Sequence, residues 1–168
     1  MKINAKYIAF LGLTLTFAVA AAYFERLIPP VIPAFPGIKL GLANIAVIIL
    51  MYIKDYKTAF LLNILRVVVS GLLFTGIWGT VYGLSGALLS FVVMALLKKT
   101  KVFGAVGISA AGGVFHNLGQ ICAASILMQN IKLFYYYFPV LIISGVITGI
   151  IIGYTAGLII NRLDNIKL

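Results

Sequence analysis

Phe60-Leu61-Leu62-Asn63-Ile64-Leu65-Arg66-Val67-Val68-Val69-Ser70-Gly71-Leu72-Leu73-Phe74 is an otherwise uncharged run with one arginine inside it, and its reading decides the fold. A guanidinium keeps its proton at ordinary pH, so a buried one needs hydrogen-bond acceptors or an anion beside it. No carboxylate stands between Asp55 and Asp164 to supply the counter-charge. The acceptors must then be main-chain carbonyls, polar side chains or an anion from outside the chain. An ionisable residue in such a run marks the interior of a membrane bundle.

The composition agrees. Hydrophobic residues make up 63% of 168 positions and charged residues 10%, which leaves little material for a separate soluble domain. The expectation is an integral membrane protein with a single transmembrane domain over residues 1–168. The formal net charge of +10 does not point to nucleic acid, because the basic residues are scattered between apolar runs instead of forming a basic arm or face. Cys122 is the one cysteine and His116 the one histidine, too few soft ligands for a zinc or iron site. Neither a metal, a cofactor nor a catalytic group is expected.

A hydrocarbon core of about 30 Å needs roughly 20 apolar residues in helix. Six segments qualify, near 5–28, 38–53, 58–75, 79–97, 103–129 and 133–161, so an all-α bundle of six transmembrane helices is predicted. Lys2, Lys6 and the run from Tyr7 to Phe17 imitate a signal peptide, but the run continues to Ile28 and is read as a span. With both termini inside, the inner side carries Lys2, Lys6, Lys54, Lys57, Lys98, Lys99, Lys101, Arg162 and Lys167, against Arg26, Lys39 and Lys132 outside. That bias predicts an N-in, C-in orientation in a plasma membrane, bacterial by expectation.

Polar residues recur at helical spacing. Gly113, His116, Asn117 and Gln120 share one face of the fifth segment, Asn63, Arg66 and Ser70 one face of the third, and Asn44 adds the second. Such stripes rarely face lipid, so a polar cavity toward the outer half is expected. Two readings of Arg66 stand side by side: internal bonding to carbonyls and amides such as Asn63, or contact with an anionic ligand. Asn44 and Asn63 are equally read as bonds between helices, and His116 as a core histidine. Lys39 at the rim is a candidate ligand contact, and Pro29, Pro30, Pro33 and Pro36 stiffen a loop able to cover the cavity. Trp78 and Tyr82 are candidates for ligand stacking, with interfacial anchoring the simpler role. Gly145, Gly149, Gly153 and Gly157 form a packing face on the last helix, with Gly79, Gly83 and Gly86 of the fourth as a partner surface.

Taken together, Ala18-x-x-x-Ala22 in the first helix, the proline-rich loop and Ile38-Lys39-Leu40-Gly41-Leu42-Ala43-Asn44-Ile45 resemble the substrate-binding S components of energy-coupling factor (ECF) transporters. More narrowly, the blocks at 36–44, Leu65-Arg66 and 112–120 look like the Gx transporter family, whose members are often labelled heptaprenyl diphosphate synthase component I. The resemblance implies a subunit that captures a vitamin- or precursor-like solute in an outward-facing cavity. It also implies partners: a membrane coupling protein, docked through Ala18 and Ala22, and two ABC-type ATPases. The chain has no phosphate-binding loop of its own. The alternative is a membrane accessory subunit of a prenyl diphosphate synthase. Catalysis of that reaction holds magnesium on clustered aspartates, whereas the three acids here, Glu25, Asp55 and Asp164, are dispersed, so the chain is not expected to be an enzyme.

Overall fold

The computed structural model describes residues 5–28 and 40–166, and all regular structure in them is helical. The six helices are α1 (Ala5–Leu27), α2 (Asn44–Ile53), α3 (Tyr56–Phe74), α4 (Gly76–Thr100), α5 (Ala105–Leu127) and α6 (Ile131–Ile166). Four of them, α1, α3, α4 and α6, are long and apolar enough to cross a membrane, which is the pattern of a multi-pass membrane protein. The proline-rich loop expected to cover the cavity, with Lys39, lies outside the described residues.

The junctions follow from local chemistry. Asp55 caps α3, its carboxylate accepting from the Thr58 N–H and the Thr58 hydroxyl, both at 2.9 Å. Those bonds hold the Asp55 carboxyl below its ordinary range. A single residue, Thr75, separates α3 from α4, and the reversal is possible because Gly76 adopts φ +74°.

Helix α2 departs most from expectation. It begins at Asn44 instead of near residue 38 and has 10 residues, about 15 Å of helix, or half a hydrocarbon core. Gly41, at φ +79°, breaks the helical path, and the Asn44 N–H closes a turn onto its carbonyl at 2.8 Å. The Glu25 carboxylate accepts the Gly41 N–H and ties this turn to the end of α1. What remains of α2 is an interior helix with Ile45, Ala46, Val47, Ile48, Leu50 and Met51 all buried. Its far end is closed by Lys98, whose ammonium donates to the Met51 carbonyl and stands 4.5 Å from the Tyr52 ring centre.

The main contacts run α2 to α3, α3 to α4, α4 to α5, α5 to α6 and α6 back to α2, so five helices close a ring. Helix α1 lies outside it, against α2 and α3. Glycines set the closest approach. A Cβ on Gly145 would sit 2.9 Å from the Gly113 carbonyl, one on Gly149 2.6 Å from Ala110 Cα, and one on Gly153 2.7 Å from Val106 Cα. The face of α6 therefore packs on α5 and not on α4. Gly86 of α4 instead meets the His116 carbonyl of α5, and Gly83 meets Val67 of α3. Gly157 has open space where a Cβ would go, so the packed stripe ends one turn earlier than the sequence repeat.

The contrast between these glycines is measurable. Gly145→Ala forces backbone apart and is expected to cost about 1–3 kcal/mol of stability in detergent, whereas Gly157→Ala is expected to be neutral or slightly stabilising. Thermal denaturation of both variants checks this; equal melting shifts would remove the α5–α6 contact from the account.

Candidate functional site

The ring encloses a cavity of about 290 Å³, lined by residues of all six helices. Arg66 is its centre. The side chain is 7% exposed, on a face of α3 turned inward with Asn63 and Val67. Asn63 Oδ1 accepts from Arg66 Nε at 3.2 Å and from Nη2 at 2.9 Å, and Asn44 Oδ1 of α2 accepts from Nη2 as well. Asn63 is itself anchored, its Nδ2 donating to the Ala87 carbonyl of α4 at 3.2 Å. Two amide oxygens thus take Nε and Nη2, and among the described residues no acceptor takes the two hydrogens of Nη1. Arg66 lines the cavity.

The sequence stripes meet in this cavity. Asn44, Arg66, Ser70, His116, Asn117 and Gln120 all line it. Asn117 spends its amide hydrogens on α6, donating to the Leu141 carbonyl at 2.8 Å and to Ser144 Oγ at 3.4 Å, and leaves its oxygen. The internal reading of Arg66 is the one the structure shows, with its bonds going to amide side chains and not to main-chain oxygens, and the residue also lines the cavity. Asn63 stands behind the wall, as the support of Arg66 and not as a lining residue.

Other expected residues are elsewhere. Trp78 is 62% exposed, and neither it nor Tyr82 lines the cavity, because the side of α4 that borders the cavity is the one carrying Gly79 and Gly83. Ala18 is fully buried within the bundle and Ala22 lines the cavity, so this face of α1 is covered by α2 and α3 in the described arrangement.

Sequence reasoning missed Glu25, Arg26, Ser90 and Ser109, which also line the cavity. Glu25 carried a readable signal as the single acid at the end of an apolar span. Ser90 and Ser109 carried none, since serine is common in membrane helices. Glycines supply much of the remaining wall, including Gly79, Gly83, Gly112 and Gly113, so the ligand space borders bare backbone.

The Arg66 support predicts a strongly non-additive pair. Asn63→Leu strands a buried cation and is expected to cost about 3–5 kcal/mol, while Asn63→Leu combined with Arg66→Met is expected to recover most of that loss. A double-mutant cycle on thermal unfolding measures it, and simple additivity would exclude the bonding described.

The chain matches the family described as heptaprenyl diphosphate synthase component I over residues 14–159, a range holding every residue that lines the cavity. No protein of curated function and no solved structure matches it. With the match covering most of its length, the chain belongs to the heptaprenyl diphosphate synthase component I family.

Proposed function

We propose that this protein is a solute-capturing membrane subunit, resembling an ECF S component, that takes a small polar or anionic molecule into the cavity between its helices. The observation that carries the reading is Arg66, nearly buried, supported by two asparagines, lining the cavity, and with no acceptor on Nη1 among the described residues. A structural arginine has no need of a cavity. The excess of lysine and arginine in alternate loops supports an N-in, C-in arrangement, with the mouth formed by Glu25, Arg26 and residues 40–43 facing outward. Energy for import comes from partner subunits, a membrane coupling protein and two ABC-type ATPases, and this chain catalyses no reaction itself. Docking through Ala18 and Ala22 requires α1 to swing away from α2 and α3, since that face is covered in the described state.

The family description favours a second reading more directly: an accessory membrane subunit bound to a soluble prenyl diphosphate synthase. In that case the cavity is secondary and the surface that grips the synthase carries the function.

One preparation separates the two. The tagged full-length protein, solubilised from its native membrane, is expected to copurify with ATPase subunits and to retain a small molecule visible by native mass spectrometry. That molecule is expected to be absent from Arg66→Ala at equal expression. Copurification with a prenyl synthase, together with an empty cavity in both proteins, would establish the second reading instead.

A further inference from the structure

We infer that the ligand is an amphiphile that enters body first: an uncharged, mainly apolar end passes Arg66 and fills the far end of the cavity, and the polar group stops at the level of Arg66. The inference names the substrate class of the capture reading above and rests on it.

Arg66 does not stand at the bottom of the cavity. Its level on the neighbouring helices is marked by the bonds around it: Asn44 on α2, and Ala87 on α4, whose carbonyl takes the Asn63 amide. On α5 the carbonyl of His116 faces Gly86, and Asn117 beside it bonds to Leu141 and Ser144 of α6. The mouth lies to one side of this level, with Gly41 and Thr75. On the other side the lining continues along four helices. Ile48 is one turn past Asn44, Met94 two turns past Ala87, Ser109 just over two turns from Asn117, and Ile152 as far past Ser144. At about 1.5 Å per residue the cavity runs about 6–12 Å beyond the guanidinium. The far ends of these helices meet at one depth, since a Cβ on Gly112 would sit 2.6 Å from Met94 Sδ and one on Gly153 2.7 Å from Ser109 Cβ.

The chemistry changes at the same level. Among the described residues, every ionisable side chain that lines the cavity lies at the level of Arg66 or nearer the mouth. Beyond it stand Ile48, Met94 and Ile152, all buried. Three hydroxyls interrupt this apolar wall, those of Ser90, Ser109 and Thr148, and Thr148 already donates to the Ser144 carbonyl at 2.9 Å. A hydroxyl satisfies a neutral polar atom but does not balance a charge, so an ionised group pushed past Arg66 loses its hydration with nothing in return. A hydrocarbon or ring body gains from the same burial. With bonds of about 1.5 Å an extended chain advances about 1.3 Å per carbon, so roughly five to nine carbons reach the floor.

The test titrates the full-length protein in detergent with straight-chain monocarboxylates from acetate to decanoate, below their micelle-forming concentrations, and with α,ω-dicarboxylates of equal lengths. Affinity is read by calorimetry. Monocarboxylate affinity is expected to rise about fourfold per added methylene through the middle of the series and then to fall. Each dicarboxylate is expected to bind about tenfold or more weaker than the monocarboxylate of equal length, because its second charge has to pass Arg66. Met94→Ala deepens the floor and is expected to move the best length upward, and Ile152→Phe raises the floor and is expected to move it downward. Should one variant fail to fold, the other shift is still read. Affinity that ignores chain length, dicarboxylates that bind as well as their counterparts, or a best length that neither variant moves overturns the inference and leaves capture standing. Where no acid binds, the molecule retained in native mass spectrometry decides: an uncharged body at one end supports the inference, and charge at both ends or no apolar body overturns it. No binding together with no retained molecule overturns the inference and the capture reading alike.

Discussion

A guanidinium taken out of water and held by two asparagine oxygens is the constraint around which this bundle is arranged. Arg66 draws together α3, which carries it, and α2, which supplies Asn44; Asn63 extends the link to α4 through the Ala87 carbonyl. Three helices are thereby registered by one charge. Amides suit this task because they accept from the cation without cancelling it, whereas a carboxylate at position 63 would hold Arg66 equally well and quench it.

The short second helix makes the cavity possible. A full-length α2 would close the wall between α3 and α6 along its whole height, but α2 ends at Asn44, and the turn at Gly41 with the end of α1 takes its place. In the glycine contact of α5 with α6, backbone meets backbone and little adjustment is possible. His116, Asn117 and Gln120 line the cavity from α5, so this part of the wall is carried by one of the two helices least able to yield.

Much of this was legible from residue order. Helix number, the inward faces of α3 and α5, and the meeting of Asn44, Arg66, His116, Asn117 and Gln120 follow from apolar length and helical spacing, because a polar stripe in lipid has one direction to face. The misses have physical causes as well. The start of α2 was placed too early because Leu40, Leu42 and Ala43 read as helix by hydropathy, while the positive φ at Gly41 leaves no trace in composition. For Trp78 and Tyr82 ligand stacking stood beside interfacial anchoring as the simpler role, and apolar helices give no periodicity to say which side turns inward; the side of α4 at the cavity carries Gly79 and Gly83. Gly157 continues a repeat whose partner helix has already ended, since α5 starts at Ala105, the last residue that the stripe meets. Glu25 lies at the end of the first span, and only the packing of α1 against α2 and α3 shows that it borders the cavity.

Helix α6 outlasts the bilayer. Its 36 residues make about 54 Å of rod against a hydrocarbon thickness of about 30 Å, so several turns stand clear of the lipid tails or the axis leans steeply. Thr148, Gly149 and Ile152 touch the cavity from this rod, and Arg162 lies nearly three turns beyond them, with Pro139 on the opposite side where its break in the hydrogen-bond ladder does not intervene. A displacement at the Arg162 end would therefore reach the cavity wall through helix alone, with no intervening loop to absorb it.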